Sequence, residues 1–348
     1  MNTASSSVLL DHGQVKRNKF APIALFVYNR PEHTQRTVNS LRENQLAAQS
    51  DLFVFSDGPK DEVGSVAVQQ VRRNIHDIQG FKSVTIIERG RNLGLANSVV
   101  AGITQLCNEF GRVIAMEDDL LTSADFLTFM NQALMQYETQ PKIFSVSGFN
   151  FGFEGPEYHP YDAFCFYRSS SLGWGTWKDR WQRADWKMSD YHTFCADKLQ
   201  QQQFNRGGDD LSGMLALQMH GKIDSWAIRW AYTHFRQDAF ALLSLLPRVF
   251  HIGSDSSATY SRRKSFKQLP LTTERKSEFR FPDTAGLEEP FVLELQRSLR
   301  PSLARKIVRY LLHGRMSLAT NRFYPSKFLP AETEHSATPE ASRRSFSD

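Results

Sequence analysis

The sequence predicts an α/β fold in which an open, mostly parallel sheet is flanked by helices. Five short apolar runs alternate with amphipathic segments between residues 22 and 150. The runs are apolar on successive residues and rich in Val, Ile and Phe, which is typical of strands buried on both faces. Strands that alternate with helices imply right-handed crossovers and parallel pairing. The 348 residues are enough for one large or two moderate domains with a sizeable core.

The predicted elements follow one another in a regular order. The five strands are PIALFVY (22–28), DLFVFSD (51–57), SVTIIE (83–88), RVIAME (112–117) and KIFSVSG (142–148). Apolar residues recur at helical spacing from Leu95 to Phe110 and again from Phe126 to Tyr137, which predicts two helices. We expect Ser123 to cap the second of these helices, because a serine hydroxyl can accept a hydrogen bond from a free N–H group of the first turn.

The composition of the chain changes after residue 150. All six tryptophans lie between Trp174 and Trp230, beside glycines and acids, which predicts a smaller lobe built onto the first sheet. Beyond it we expect a basic loop, a C-terminal amphipathic helix and a disordered tail. The predicted division is an α/β half (20–150), a smaller lobe (151–260), the basic loop and helical extension (261–330) and the tail (331–348).

Composition predicts a folded protein, and the short apolar runs and the cysteines predict a cytoplasmic one. The chain is 41% hydrophobic and 12% aromatic, unlike a disordered protein. Residues 1–20 hold an apolar patch too short for a signal peptide, and no apolar run is long enough to span a membrane. The three cysteines are widely spaced and odd in number, which favours reduced thiols: Cys107, Cys165 and Cys195.

The net charge of +5 favours anionic partners such as nucleotides, phosphates or anionic lipid. It is too small to indicate nucleic-acid binding. The sequence also lacks a basic stripe interleaved with aromatic residues, zinc-ligand spacing and a helix-turn-helix pattern. We therefore predict no nucleic-acid partner.

Polar residues follow each of the first four predicted strands. Arg30 follows the first strand, Asp57 ends the second, Asn92 follows the third, and the acidic triplet 117–119 ends the fourth. In open α/β sheets, ligands bind at the carboxyl ends of the strands. We expect these four loops to line one crevice.

The triplet Glu117-Asp118-Asp119 allows two interpretations. It can be a solvated turn that caps the next helix, since acidic residues favour helix N-termini. Alternatively, it binds a hard divalent cation, Mn²⁺ or Mg²⁺, which takes oxygen ligands and leaves positions for phosphate oxygens. Its place at the ligand-binding end of a central strand favours the cation.

The run VIAMEDDLLTSADFLTFM resembles the metal-binding motif of GT-A-fold glycosyltransferases, in the branch that contains N-acetylglucosaminyltransferase I. The resemblance covers roughly residues 20–260 and implies a Rossmann-like GT-A fold. It implies that residues 20–150 are the nucleotide-sugar-binding half and that residues 151–260 are the acceptor and catalytic lobe. It also implies that Asp119 is the metal ligand and that Glu117 and Asp118 bind the donor.

Three more positions fit the same family pattern. Arg30, in VYNRPEHT, resembles the arginine that contacts the nucleotide. Asp57, in FSDGPKDE, resembles the aspartate that accepts a hydrogen bond from the uracil imide. Asn92 belongs to an N-x-G-L turn whose loop packs beside the base in these enzymes, although such a turn can also be ordinary.

The segment GGDDLSGML resembles the later Asp-Asp of the family, whose second aspartate is the catalytic base. This assigns the base to Asp210 and an acceptor-side position to Asp209. On the residues alone, either aspartate can instead cap the helix that follows. His251, in HIGSDSSATY, is a candidate for contacting the diphosphate, with a structural histidine as the alternative.

Trp174, Trp177 and Trp181 stand at helical spacing, which predicts that they share one face of a helix. They can pack into the core, or one can stack against an acceptor sugar. Trp174, which has glycine on both sides, is our candidate for stacking. Residues 302–316 predict an amphipathic helix that packs on the protein or docks on an anionic membrane.

The resemblance implies a metal-dependent, inverting glycosyltransferase. We expect it to move a sugar from a nucleotide donor, a UDP-sugar, to a glycan or lipid-linked oligosaccharide in bacterial surface polysaccharide synthesis, such as that of lipopolysaccharide. The predicted location is the cytoplasm or, peripherally, the inner face of the cytoplasmic membrane. A sugar nucleotidyltransferase is one alternative, although FVYNRPEHTQ lacks the glycine-rich loop of those enzymes. A non-catalytic protein that binds nucleotides or glycans is the other.

Overall fold

The computed structural model describes residues 19–253 and 267–299, which all belong to one compact unit, Met1–Pro301. Within these residues the strands are β1 Ile23–Val27, β2 Asp51–Ser56, β3 Ser83–Glu88, β4 Arg112–Glu117, β5 Leu120–Thr122, β6 Ile143–Ser147, β7 Ala163–Phe166, β8 Trp174–Trp177, β9 Phe240–Ser244 and β10 Val249–His251. The helices are α1 Pro31–Arg42, α2 Glu62–His76, α3 Leu95–Phe110, α4 Phe126–Gln136, α5 Lys178–Trp181, α6 Tyr191–Ala196, α7 Lys198–Phe204, α8 Leu211–Met219, α9 Trp226–Arg236 and α10 Glu289–Ser298.

The centre of the fold is an eight-stranded sheet with the strand order β3-β2-β1-β4-β8-β6-β9-β7. The pairs β3–β2, β2–β1, β1–β4 and β6–β9 are parallel, and the other three are antiparallel. The predicted α/β class and its mostly parallel sheet are therefore confirmed. All five predicted strands are present, as β1, β2, β3, β4 and β6.

The crossover connections place the functional crevice between β1 and β4. The chain builds β2 and β3 on one side of β1 and then returns through α3 to form β4 on the other side. Such a reversal of strand order is where open α/β sheets bind ligands. The strand ends are level, since Val27 lies opposite Ser56 and Phe26 lies opposite Glu117. The loops after these strands therefore meet at one edge.

Helices cover both faces of the sheet. Alternate residues of β1 face opposite sides, so that Ile23, Leu25 and Val27 join one apolar cluster while Ala24 and Phe26 join the other. A third cluster lies among α6–α9. Burial on both faces explains why β1, β4 and β6 are apolar on successive residues. For β3 the predicted burial is wrong, because this strand lies at the edge of the sheet and its residues are half-buried or exposed.

Two local predictions are wrong. Trp174 and Trp177 lie in β8, an antiparallel strand inserted between β4 and β6, and do not share a helical face with Trp181. Ser123 does not cap α4, which begins after Asp125 and has no side-chain cap hydrogen bond; the Ser123 hydroxyl instead donates to Asp125 at 2.6 Å. In both places the local sequence pattern was compatible with the predicted structure, but contacts formed in the folded chain gave a different one.

The predicted domain division at residue 150 stays a prediction. The strands β7, β8 and β9, which follow residue 150, belong to the same sheet as β1–β4. Residues 267–288 contain neither helix nor strand. The predicted helix at 302–316 and the tail at 331–348 lie outside the described residues. Within residues 19–253 and 267–299, no helix is long and apolar enough to cross a membrane.

Candidate active site

The acidic triplet is held in place by β1 and α1. The backbone N–H of Tyr28 donates to Asp118 Oδ2 at 3.3 Å. The hydroxyl of Thr37, a buried residue of α1, donates to the Asp118 carbonyl at 2.8 Å and accepts from the Leu120 N–H at 3.2 Å. The turn between β4 and β5, which carries Asp118 and Asp119, is therefore fixed by Tyr28 and by Thr37.

The three carboxyl groups differ in how easily they ionise. Asp118 and Asp119 are only 8% and 7% exposed. Burial, followed by the charge of Asp119, raises the pKa of Asp118 to about 7. Burial and the charges of Asp119 and Asp118 raise the pKa of Glu117 well above its usual range. Negative charge in the cluster is therefore concentrated on Asp119, because carboxylates packed this closely disfavour one another's ionisation.

Asp119 forms the centre of a charged cluster with Arg30 and His251. Arg30 Nη1 donates to Asp119 Oδ2 at 2.7 Å, and His251 Nε2 lies 3.2 Å from the same oxygen. Burial alone would raise the pKa of Asp119, but the hydrogen bond and charge of His251, together with Arg30, outweigh burial and lower it. The predicted residues Arg30, Asp119 and His251 therefore meet in space.

A short ribbon of β5 and β10 brings His251 to the triplet. The two strands pair antiparallel, with His251 opposite Leu120, and the Ile252 N–H donates to the Asp119 carbonyl at 2.9 Å. Gly253 follows, and a Cβ at this position would lie 1.9 Å from Asp119 Oδ2. Only glycine allows the backbone to pass this close to the carboxylate. The Gln268 side chain binds both the N–H and the carbonyl of His251, at 2.8 and 3.2 Å.

A buried ion pair, which the sequence analysis did not identify, anchors the other end of this ribbon. Arg248 precedes β10 and Asp125 precedes α4; both side chains are fully buried, with 3.4 Å between Arg248 Nε and Asp125 Oδ1. The Arg248 guanidinium also lies over the rings of Phe129 and Phe279, at 4.9 and 4.6 Å. The pair fixes where β10 begins and thereby positions His251.

The acidic cluster fits a divalent cation that takes most of its ligands from a bound substrate. Asp119 Oδ1 is buried and accepts no hydrogen bond from a described residue. Within residues 19–253 and 267–299, no group of three or more His, Cys, Asp or Glu side chains is arranged to hold a metal ion. Mg²⁺ in particular is often held by only one or two carboxylates together with substrate phosphates and water. Asp119, with His251 beside it, suits that kind of site.

Asp57 and Asn92 lock two loops of the crevice together. Both oxygens of the buried Asp57 carboxylate accept backbone N–H groups, from Leu93 and from Gly94, each at 2.9 Å. The Asn92 amide donates to the Gly58 carbonyl at 2.8 Å. These contacts form one wall at the ends of β2 and β3. Any contact of Asp57 or Asn92 with a nucleotide base stays a prediction.

Asp210 pairs with an arginine that the sequence analysis did not identify. Arg168 Nη1 and Nη2 donate to the two oxygens of Asp210 at 2.7 and 3.0 Å. Asp210 directly precedes α8 but makes no side-chain cap hydrogen bond. Asp209 is exposed. The structure therefore holds the Asp210 carboxylate in a defined orientation through Arg168.

Trp174 is buried in the core, and its predicted role of stacking on an acceptor sugar does not agree with this position. It is 1% exposed and stacks on Trp226 with 5.0 Å between ring centroids. Trp181 and Trp230 complete the cluster under the sheet. Trp177 points to the other face and donates its indole N–H to the Leu134 carbonyl. Tryptophans at this spacing in a strand pack on both sides of the sheet.

Residues 23–197 match the model of the family described as "Glycosyl transferase family 2". A relative from Arabidopsis thaliana, "Alpha-1,3-mannosyl-glycoprotein 2-beta-N-acetylglucosaminyltransferase", is 26% identical over 184 residues. The match covers 48% of this chain and 41% of the relative, so that the chain spans less than half of that protein.

Similar solved structures include the mannosyltransferase PcManGT from Pyrobaculum calidifontis in complex with GDP-Man and Mn²⁺. It has 16% identity and a TM-score of 0.26, and the match covers 38% of this chain and 37% of that one. Another is S. aureus TarS 1-349, with 11% identity and a TM-score of 0.32, for which the match covers 46% of this chain and 47% of that one.

Proposed function

Because the chain belongs to glycosyl transferase family 2, we propose that it transfers a sugar from a nucleotide donor, a UDP-sugar, to a hydroxyl group of a glycan. The family confirms the resemblance found in the sequence. The named relative acts as an N-acetylglucosaminyltransferase. We therefore expect an N-acetylhexosamine as the donor sugar, with a simple hexose as the second candidate.

The observation that carries this proposal is the cluster of Arg30, Asp119 and His251 at the point where the strand order reverses. A guanidinium and an imidazole flank one ionised carboxylate, and a second carboxylate oxygen is buried without a described hydrogen-bond donor. Groups of both charges suit a ligand that is itself a metal diphosphate. Arginine binds phosphate oxygens in a bidentate manner, and carboxylates bind the cation.

In the proposed reaction, Asp119 would hold the cation, Mn²⁺ or Mg²⁺, with His251 at its side, and Glu117 and Asp118 would contact the donor. When bound, the cation supplies positive charge that stabilises the diphosphate leaving group. Arg30 would contact the diphosphate from the end of β1, and the wall built by Asp57 and Asn92 would lie beside the base.

Asp210 is the proposed general base of an inverting transfer. An acceptor hydroxyl attacks the anomeric carbon as its proton passes to Asp210, and the bond from that carbon to the diphosphate oxygen breaks. The bidentate contact with Arg168 supports this role because it holds the Asp210 carboxylate in one orientation. Asp209, which is exposed beside it, would contact the acceptor.

A donor panel tests the proposal. We expect the purified protein to hydrolyse one class among UDP-, GDP- and TDP-sugars in a manganese-dependent manner, with UDP-N-acetylhexosamines tried first. Asp119→Asn changes the volume of the side chain little but removes the charge, and should abolish both hydrolysis and metal-dependent UDP binding. UDP binding without hydrolysis of any donor would favour a non-catalytic binding protein. Pyrophosphorolysis of a UDP-sugar would favour the sugar nucleotidyltransferase.

The proposed setting is the synthesis of a bacterial surface polysaccharide, at the cytoplasmic face of the membrane. The membrane contact is proposed from the sequence of residues 302–316, in which apolar and basic residues each recur at helical spacing. If this is right, removal of residues 301–348 should release the protein from vesicles of anionic lipid and leave donor hydrolysis intact. Failure of the full-length protein to sediment with such vesicles at low salt would refute the membrane contact.

A further inference from the structure

Arg30 forms an ion pair with Asp119, the carboxylate that is assigned to the cation. Its Nη1 lies 2.7 Å from Asp119 Oδ2, and its Nη2 donates to the Gly253 carbonyl at 3.1 Å. The guanidinium thus lies between the turn that follows β4 and the segment that follows β10. The side chains of Arg30 and Asp119 are only 11% and 10% exposed, so that water screens this ion pair weakly.

A guanidinium and a divalent cation cannot both bind one carboxylate without strong repulsion. The two oxygens of a carboxylate are bonded to the same carbon atom, so a cation on Oδ1 would lie close to the guanidinium on Oδ2. In a buried site, like charges at such a distance repel each other far more than in water. Either the cation binds weakly, or Arg30 has to leave Asp119.

We propose that Arg30 is a built-in counter-ion that keeps Asp119 neutralised until a diphosphate arrives, so that the cation and the nucleotide bind together. This inference rests on the proposed function of the site. A nucleoside diphosphate offers several oxyanions to which Arg30 can transfer, and arginine is well suited to bind them. Once Arg30 has moved, Asp119 and the phosphate oxygens are both available to the cation.

The proposal has a thermodynamic consequence. UDP should raise the affinity for Mn²⁺ and, by reciprocity, Mn²⁺ should raise the affinity for UDP by the same factor. Removing the charge of Arg30 should make the site accept Mn²⁺ without UDP. We expect Arg30→Met to bind Mn²⁺ alone at least about tenfold more tightly than the wild type, which is about 1.4 kcal/mol. The factor by which UDP raises Mn²⁺ affinity should fall in the variant.

Titration of free Mn²⁺ by electron paramagnetic resonance, with and without UDP, measures these affinities without any assay of activity. Arg30→Gln serves as a second variant that keeps hydrogen-bonding capacity without the charge. Arg36→Met is the matched control, because it removes one positive charge from an exposed position of α1. Adding Asp119→Asn to Arg30→Met should abolish the gained Mn²⁺ binding, which assigns the bound ion to this carboxylate.

The outcomes distinguish the counter-ion role of Arg30 from the proposed metal-dependent function of the site. Tighter Mn²⁺ binding in both Arg30 variants, with Arg36→Met like the wild type, supports the counter-ion. If the wild type binds Mn²⁺ together with UDP, but neither Arg30 variant gains affinity for Mn²⁺ alone, the counter-ion is refuted and the proposed metal site stands. If no form binds Mn²⁺ even with UDP, the counter-ion and the metal-dependent function are both refuted.

Discussion

Arg168 holds both carboxylate oxygens of Asp210, at 2.7 and 3.0 Å, and this contact explains the two glycines before the aspartates. A Cβ on Gly208 would lie 2.7 Å from Arg168 Nη1, and the φ of Gly208 is +138°. A Cβ on Gly207 would lie 3.3 Å from the Arg168 Cβ. The chain therefore passes close to the arginine before it turns into α8. This passage fixes the orientation of Asp210.

We predict that Asp210→Asn will lower donor hydrolysis and sugar transfer by roughly 10²–10⁴-fold, because an amide cannot accept the proton of the attacking hydroxyl or water. The affinity for UDP and Mn²⁺ should stay within about twofold of the wild type, since the proposed base does not bind the nucleotide. Calorimetry gives the affinity, and release of UDP from the donor gives the rate.

Asp209→Asn is the matched control for this prediction. Asp209 is exposed and adjacent in sequence, so the same chemical change there should cost much less activity. If Asp209→Asn were the more damaging variant, the base would have to be reassigned to Asp209. Full activity in both variants would exclude either aspartate as the base.

We predict that Asp57→Ala will weaken UDP binding by roughly 1.5–3 kcal/mol, the range for hydrogen bonds to charged groups. It should leave binding of Mn²⁺ alone unchanged, since Asp57 lies in the wall at the ends of β2 and β3. Titrations with UDP and with GDP distinguish two causes. A direct contact with the uracil predicts a loss for UDP alone, whereas a role restricted to ordering the wall predicts equal loss for both nucleotides.

Asn92→Ala supplies the comparison for Asp57. It removes the hydrogen bond from Asn92 to the Gly58 carbonyl but leaves the Asp57 carboxylate and its backbone partners in place. We expect a smaller loss that is equal for UDP and GDP. Discrimination between the nucleotides in Asn92→Ala, and none in Asp57→Ala, would transfer the base contact to Asn92.

The sequence was sufficient to predict the first half of the sheet because its signals there are local. Continuous apolar runs mark strands buried on both faces, and polar residues at their ends mark the ligand-binding edge. Arg30 and Asp119 are brought together by parallel pairing of β1 and β4, which follows from that pattern. The second half has weaker local signals. Trp174 and Trp177 have a spacing that a helix and a strand both allow, and only pairing with β4 and β6 decides between them.

The residues that the sequence did not reveal act through partners far away along the chain. Arg168 acts on Asp210 across 42 positions, and Gln268 acts on His251 across 17. Arg248 was visible as a lone charge between the apolar runs 239–246 and 249–252. A charge in such a place needs a buried partner, but nothing local identified that partner as Asp125. The need for a buried partner can be predicted from the sequence, whereas the identity of that partner can be read only from the fold.

His234 should make the protein less stable in acid. Burial lowers the pKa of His234 to about 4, although its hydrogen bond to the Trp230 carbonyl opposes this shift. Since a carbonyl can only accept, His234 Nδ1 donates to it at 2.9 Å, and Nε2 accepts from the Ser145 hydroxyl. The folded protein therefore holds a neutral ring. Between about pH 6.5 and pH 4, the unfolded chain binds a proton at this position that the folded protein does not.

We predict that this histidine alone lowers the free energy of unfolding by about 2 kcal/mol between about pH 7.5 and pH 5. Its contribution is fully present above the unfolded pKa and is lost as the pH falls. Urea unfolding at the two pH values measures the difference. In His234→Gln, which cannot titrate, the dependence on pH should shrink by this amount even if the variant is less stable overall. An unchanged dependence would mean that His234 has the same pKa in the folded protein as in the unfolded chain.

Gly253 lies in close contact with Asp119 of the acidic triplet. The Gly253 carbonyl accepts from Arg30 Nη2 at 3.1 Å, and the preceding Ile252 N–H donates to the Asp119 carbonyl. A methyl group on Gly253 would lie 1.9 Å from Asp119 Oδ2 and 2.9 Å from Arg30 Nη1. Neither contact is possible without displacing the segment or the carboxylate. The displacement would change the positions of Asp119, His251 and Arg30, which are assigned to the cation and the diphosphate.

We predict that Gly253→Ala will weaken binding of UDP with Mn²⁺ by more than about tenfold, or about 1.4 kcal/mol, because Asp119 and His251 lose their mutual geometry. The midpoint of thermal unfolding should change little, since Gly253 lies outside the helices and the sheets. Gly286→Ala is the matched control, because a Cβ at that position meets nothing within 4 Å. Calorimetry with UDP and Mn²⁺ measures the affinity of each variant. Wild-type affinity in Gly253→Ala would show that the segment after β10 does not shape the site, and His251 would then lose its proposed place beside the cation.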